Sequence, residues 1–431
     1  MAPADTTKTE QSQGRGGSAH YLRLVLLAAL IGIPAAFLAA LFLAVVNWLQ
    51  HALWTDVPHA LGLSSPPWYL VLGYPVVGAG IVIAARMLLP GDGGHNPLGG
   101  LSTKPTPVSH GAGVVLAALG TLVFGAVLGP EAPLIALGSV IGMAVAPLAK
   151  HDPSGKAVLS TAGSFSAISA LFGGPVVAGM LLVEAGVGAG SALLPALLPG
   201  LVAAAIGYVI FIGFGTWGGL HMTGLRLPDL PAYQGLHPGD LLIAIGIGLV
   251  AAVVIEGIRR LGTAIEGIPL PHGKLPILLV GGGLVTGLIA LLAGALGANP
   301  QDVLFSGQAS VPALVMRQSV VIVLILLIGK GLAYAVCLGC GFRGGPVFPA
   351  IFVGVGVAAL AEAAFHTSPT LTVAVGAAAG MAAMTHLLFA PLLFALLLVG
   401  SNGVDAIPAV VMASASSWLL TSALRARFDD Q

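Results

Sequence analysis

The sequence predicts an all-α polytopic membrane protein made of two homologous halves of tilted and broken helices. Three observations carry this reading. Of the 431 residues, 57% are hydrophobic and only 7% are charged, against roughly 25% charged in soluble domains. Runs such as "YLRLVLLAALIGIPAAFLAALFLAVVNWLQ" and "SVVIVLILLIGKGLAYAVCLGCG" exceed the ~18–20 residues that span a bilayer. Finally, separate blocks repeat at one offset, about half the chain length. Gly129, Pro130, Pro133, Ile135 and Gly138 match Gly345, Pro346, Pro349, Ile351 and Gly354, so the offset is 345 − 129 = 216. Pro175 and Pro391 share it, as do the two "LLV" tripeptides at Leu181–Val183 and Leu397–Val399. The spacing leaves open whether the halves run parallel or inverted.

Residues 1–19 are polar and read as a disordered tail. Residues 20–215 form the first membrane half, 216–237 a Pro-rich linker, 238–424 the second half and 425–431 a closing tail. Apolar segments of the first half fall at 21–50, 68–90, 107–128, 131–149, 157–185 (broken at Gly173–Pro175) and 191–215. Those of the second fall at 238–261, 275–298, 318–341, 346–364, 369–390 and 391–425, the last broken near Asn402–Asp405. The first run is too long for a removable signal peptide and lacks its small-residue cleavage site. The 62 Gly and 30 Pro suit short, broken helices, because small residues let helices approach and neighbours satisfy freed backbone groups. Lys8, Arg15, Arg23, Arg259, Arg260, Lys274, Arg425 and Arg427 lie near segment ends. The positive-inside rule puts them all in the cytoplasm, with both termini, which implies an even number of crossings of the cell (inner) membrane.

Zero net charge and the lack of a basic stripe argue against a nucleic-acid partner. Cys337 and Cys340 form a lone C-x-x-C, read as two small residues near a helix end. No second Cys or His cluster completes a metal site, and no nucleophile–base pair stands out. No cofactor, metal or enzymatic role is therefore expected.

The chemistry concentrates in "GPEAPLIALG" (129–138) and "GPVFPAIFVG" (345–354). Both read as helix starts, since Pro is favoured in the first turn, where its missing N–H costs nothing. Such a start presents free N–H groups and about half a positive charge. Two of them converging at mid-membrane would form an anion site lined by broken-helix ends. Only one copy carries an acid, Glu131.

These residues resemble the CLC family of chloride channels and chloride/proton antiporters. "GPEAP" is similar to the family's G-[KR]-E-G-P, and "KGLAYAVCLGCGFRGGPVFPAIFVG" to its K-x(7)-L-G-S-G-x-x-G-G-x-F-x-P-x(4)-G. "LFGGPVVAGMLLVEAG" and "FAPLLFALLLVGSNGVDAIPAVVMAS" resemble the matching segments of the two halves. The pattern is most similar to a divergent bacterial branch of ion-transport proteins that carries G-P-E-x-P and G-F-R-G-G-x-x-F-P. The resemblance implies inverted halves and a homodimer with one pore per subunit. It also implies that Glu131 is the gate, competing with the anion when charged and swinging away when protonated. Ala132, Gly345, Val347 and Phe348 would then bind the anion, largely through backbone donors. An acid at the membrane centre costs about 2.5–3.5 kcal/mol even on lenient insertion scales, so its retention asks for a function. Burial favours its neutral form and helix N–H groups its charged one, a balance a gate requires. The bland alternative is a capping carboxylate.

Departures from the family set further expectations. Where the family often has "E-E" on its inner proton route, this chain has Glu184–Ala185. Ala185 takes the proton-route place, and Glu184 is either structural or a substitute carboxylate. The family's G-S-G-I-P loop appears as "GGHNP", so Gly94 replaces the serine at the central anion, and His95 or Asn96 could supply a donor. The late tyrosine has no match in "LLTSALRARFDDQ". Pro130 and Pro346 remove two N–H donors, and Arg343 either compensates beside the anion path or partners an acid. Lys330 pairs structurally or attracts anions, Glu256 and Glu362 face water near segment ends, and His110 and His386 are satisfied helix histidines. The expected function is transport of chloride or a similar small anion, channel-like or weakly coupled to protons. The alternatives are a chloride/proton antiporter and a non-conducting membrane protein of the same fold.

Overall fold

The computed structural model describes residues 7–102, 104–149, 153–186, 193–217, 227, 230–269, 274–315 and 319–429. Helix α1 (Thr7–His51) continues through a π turn, Ala52–Asp56, to Ala60. It is followed by α2 (Trp68–Leu88), α3 (Gly111–Leu122), α4 (Glu131–Val145), α5 (Pro153–Leu171), α6 (Pro175–Ala185) and α7 (Leu193–Trp217). The second half repeats the order as α8 (Pro238–Glu266), α9 (Lys274–Ala295), α10 (Val320–Gly339), α11 (Val347–Phe365), α12 (Pro369–Thr385), α13 (Phe389–Val399) and α14 (Ile407–Asp429). Among the described residues nine helical stretches are long and apolar enough to cross a bilayer.

Local chemistry sets many boundaries. Pro175, Pro238 and Pro369 occupy first-turn positions. The Ser319 hydroxyl accepts from the Ile322 N–H at the head of α10, and Asp240 reaches back to the His237 N–H in a capping box on α8. His366 and His386 stop α11 and α12 in the left-handed conformation, φ 54° and 59°.

Packing inverts one half onto the other. The pairs α4–α5, α5–α7, α1–α7, α1–α5 and α2–α3 recur as α11–α12, α12–α14, α8–α14, α8–α12 and α9–α10. Helix α2 packs on α9 and α6 on α13, each on its own counterpart. Small residues make this closeness possible. A Cβ on Gly138 would lie 2.3 Å from the Gly163 carbonyl, and one on Gly354 would lie 2.1 Å from the Gly376 carbonyl. The axis itself is visible at Gly129 and Gly345. They form an antiparallel bridge with N–H···O distances of 2.7 and 2.6 Å. Repeat-related residues can bond each other reciprocally only where the two-fold passes between them. The bridge thus places a two-fold axis between the halves, in keeping with the inverted arrangement.

Several expectations change. The expected tail 1–19 is helical from Thr7, since extending a helix from an apolar span needs no new nucleation. The closing tail is helical to Asp429, with Arg425 held by Glu256 and by the carbonyls of Ala383 and Met384 at the end of α12. Segment 107–128 holds helix only to Leu122. Residues 300–303 and 311–315, assigned to no segment, form two short helices. The linker docks on the turn between α13 and α14, where the Tyr233 N–H donates to the Asn402 carbonyl at 2.9 Å. Its residues 218–226, 228 and 229 lie outside the described residues.

Candidate functional site: a buried carboxylate between two helix starts

Helices α4 and α11 begin side by side at the Gly129–Gly345 bridge, capped by Pro130 and Pro346. Glu131, the first residue of α4, is 0% exposed. Its carboxylate does not stay on its own helix start alone. It crosses the axis, and Oε1 accepts from the Val347 N–H at 2.5 Å, with the Phe348 N–H acting on the same carboxyl. Val347 is the repeat counterpart of Glu131 (131 + 216 = 347), so the one acid of the pair fills the helix start of the half that lacks one. Oε2 is buried without a partner among the described residues. The bridge glycines make room: a Cβ at Gly345 would lie 2.0 Å from Glu131 Cδ, and one at Gly129 2.0 Å from Oε2.

Around this carboxylate the walls are apolar. Phe172, Phe348 and Phe394 pack ring on ring, with centroids 5.4–6.0 Å apart. A cavity of about 760 Å³ is lined by Pro130, Phe348 and Phe394 together with the polar Gln50, Asp302 and Gln308. Tyr334 of α10, fully buried, donates its hydroxyl to the Pro346 carbonyl at 2.6 Å, and the Glu131 charge acts on it. The family resemblance points to a phenol near the end of the chain, and this one, 334 residues in, is not among the expected site residues. Its only signal was its place four residues after Lys330.

Ala132 lies in the first turn of α4 beside the site, 9% exposed, and Gly345, Val347 and Phe348 all touch Glu131. Other candidates stand elsewhere. Glu184 accepts from the N–H groups of Leu388, Phe389 and Ala390 at 3.0, 2.8 and 2.6 Å, which caps α13 from across the axis. All its described bonds are structural. Asn96 uses both ends of its amide, donating to Glu266 at 2.9 Å and accepting from the Leu98 N–H. Gly94 sits at φ 112° in a glycine loop, Gly91–Gly94. Burial, with the charges of Arg343 and Lys104, holds the His95 pKa below its ordinary value.

Arg343 takes the acid-partner role. Its Nε donates to the Asp92 carbonyl at 2.8 Å and its Nη2 to the Asp92 carboxylate, while its N–H bonds the Thr121 hydroxyl. Lys330 donates to the carbonyls of Leu304 and Phe305 at 2.8 and 3.1 Å. Cys337 accepts from the Val127 N–H and pairs with Thr286, which agrees with its structural reading. His386 bonds Ser422. Glu256 corrects an expectation: it does not face water but is 2% exposed. Arg259 and Arg260 at 2.8 and 2.9 Å, with Arg425 at 3.5 Å, offset its burial. Glu362 is half-buried rather than solvent-facing.

The fold and site define a class: a multi-pass membrane protein with inverted halves whose helix starts meet at a buried carboxylate. The family model described as "Voltage gated chloride channel" matches residues 97–422, well over half of the chain, and the chain belongs to that family. Among its relatives, it is 29% identical over 351 residues to "Putative ion-transport protein YfeO" of Escherichia coli (strain SMS-3-5 / SECEC), covering 78% of each chain. The same figures hold for the protein of that name in Shigella boydii serotype 4 (strain Sb227). Two solved structures share the fold: a slow cyanobacterial Cl−/H+ antiporter (TM-score 0.70, 17% identity, 94% of this chain and 97% of that one) and a CLC-type fluoride/proton antiporter (TM-score 0.71, 21% identity, 93% and 96%).

Proposed function

We propose that the protein carries chloride or a similar small anion across the membrane, with Glu131 as a protonatable gate and channel-like or weakly proton-coupled transport. One observation carries this: the Glu131 carboxylate occupies the Val347 N–H, the place at a helix start that suits an anion. Charged, it competes with the permeant ion. Protonated, it loses its electrostatic hold and frees Val347, Phe348 and the first turn at Ala132 for the anion, with Gly345 as the close floor.

The two solved structures that share the fold, both of proton-coupled antiporters, favour a second reading, coupled exchange. The ligation of Glu184 by three backbone N–H groups and the apolar Ala185 beside it argue against a proton route there. We further propose a homodimer in the inner membrane with both termini cytoplasmic. Arg86, Arg259, Arg260, Lys274 and Arg425 gather at the end of the molecule that α2 and α8 run toward, and that end would face the cytoplasm.

Purified protein in chloride-loaded liposomes tests the reading. Efflux with little proton movement supports it, proton uptake in fixed stoichiometry replaces it with exchange, and no efflux of any small anion overturns both.

A further inference from the structure

Tyr334 of α10 is among the largest side chains wholly shut away from solvent. A buried phenol needs an acceptor, and this one takes the Pro346 carbonyl at 2.6 Å. The choice of carbonyl matters. The Pro346 C=O and the Val347 N–H are the two ends of one trans peptide unit, and that N–H donates to Glu131 Oε1 at 2.5 Å. Tyr334, the peptide and Glu131 thus form one relay, O–H to C=O and then N–H to carboxylate. Such chains polarise. A donor on the carbonyl draws electron density from the peptide nitrogen and leaves its proton more positive, a strengthening of perhaps 10–30% per bond. Val347 is buried and Phe348 nearly so, so little water screens the effect.

The relay belongs to one half. The repeat counterpart of Tyr334 is Ala118 (334 − 216 = 118), and at the first helix start the Pro130 carbonyl takes the Leu134 N–H at 3.0 Å. The half that supplies the acid lacks the phenol, and the half that receives the acid has it. Tyr334 is the ionisable side chain that feels the Glu131 charge. Lys330 and Cys337 on the same helix are bonded elsewhere, Arg343 is held by Asp92, and His51 of α1 pairs with Asp56. Lys156 and Glu362 stand at the far ends of α5 and α11, and α3 and α13 carry no ionisable side chain.

We propose that Tyr334 is a positioning residue for the gate. Through the Pro346–Val347 peptide its hydroxyl sets how strongly the Val347 N–H holds an anion, whether the Glu131 carboxylate or the permeant ion. It acts from behind the donor, on the carbonyl side of the peptide, and not as a ligand. The late tyrosine that the family resemblance leads one to expect would offer its hydroxyl to the ion itself. Proline at 130 and 346 leaves this cradle with fewer N–H groups, and the relay strengthens one that remains. The inference rests on the reading of Glu131 as a protonatable gate.

The test is chloride efflux from liposomes across a pH series, read as the pH of half-activation. Tyr334→Phe keeps the ring and removes the first bond of the relay. The Val347 N–H then holds the charged carboxylate less well, Glu131 takes its proton at higher pH, and half-activation should rise by about 0.3–0.7 pH unit, roughly two- to fivefold. Site-specific 3-fluorotyrosine in place of Tyr334 keeps the shape and makes the phenol a stronger donor, so half-activation should fall. In Glu131→Ala, where chloride has the seat to itself, adding Tyr334→Phe should weaken chloride binding by a similar factor in titration calorimetry. A hydroxyl that only completes the packing gives a different result: Tyr334→Phe lowers the melting temperature and leaves half-activation unmoved, which overturns the proposal. Should Tyr334→Phe fail to fold, the fluorotyrosine protein decides alone, and an unmoved or raised half-activation refutes the relay. Wild-type protein that passes no anion, or whose pH dependence survives Glu131→Ala, defeats the transport reading and this inference with it. Efflux gated by Glu131 yet blind to residue 334 defeats only this inference.

Discussion

Gly345→Ala should unseat Glu131 without touching its charge. The added Cβ would lie 2.0 Å from Glu131 Cδ and 2.1 Å from Oε1, roughly 1.5 Å inside the ~3.5–4.0 Å of an ordinary carbon contact. Gly345 itself is pinned by the reciprocal bridge to Gly129, so the carboxyl is the part that moves. The hydrogen bond to the Val347 N–H favours the seated carboxylate by about 1.5–3 kcal/mol, so a clash that denies it shifts the equilibrium roughly ten- to 150-fold toward the displaced state. Chloride efflux from liposomes between pH 7.5 and pH 4.5 is the assay. The wild type should speed up on acidification as Glu131 protonates, whereas Gly345→Ala should be fast at both pH values, like Glu131→Ala. If the new methyl obstructs the path instead, flux falls, and the double variant Glu131→Ala/Gly345→Ala should recover it, because the colliding atoms are gone. Gly345→Ala with wild-type flux and pH dependence would refute the seating of Glu131 on the Gly129–Gly345 bridge.

Three further outcomes follow from other contacts. Glu184→Ala should lower stability by about 1–2 kcal/mol through the lost cap on α13, visible as a lower melting temperature, and leave the proton-to-anion ratio unchanged; an altered ratio would restore Glu184 to the proton route. Glu256→Ala leaves three arginines without their shared acid and should cost about 3 kcal/mol, the low end for a broken buried pair because the arginine heads are partly wet; a neutral result in thermal unfolding would show that water replaces the carboxylate. Burial depresses the His95 pKa, so the unfolded chain takes up a proton there before the folded one. Stability is then present above the unfolded value of about 6.5 and is lost as pH falls below it. The wild type should lose more melting temperature between pH 8 and pH 5.5 than His95→Gln, and equal losses would count against it.

The helix starts were legible because proline and glycine act locally. Pro130 and Pro346 mark the heads of α4 and α11 whatever surrounds them, and a lone acid in an apolar run marks itself. Arg343 was readable as a charge that needed a reason, but its partner Asp92 lies 251 positions away, with no local pattern linking them. Glu256 reads as a water-facing acid because it stands near the end of an apolar segment. Its burial comes from α14, whose Arg425 closes over it. Tyr334 carried no motif at all, and only the approach of α10 to Pro346 gives it a role.

By itself the sequence determined the apolar spans, the twofold repeat at 216 residues and the single carboxylate at a helix start, since composition, periodicity and proline act over a few residues. Only the tertiary structure decided that a two-fold axis passes between the halves, that Gly129 bonds Gly345, and that Glu131 therefore lies on the other half's helix rather than on its own alone. The reason is geometric. An offset fixes which residues correspond, and only the packing of α2 on α9 and α6 on α13 fixes the axis that turns one half into the other.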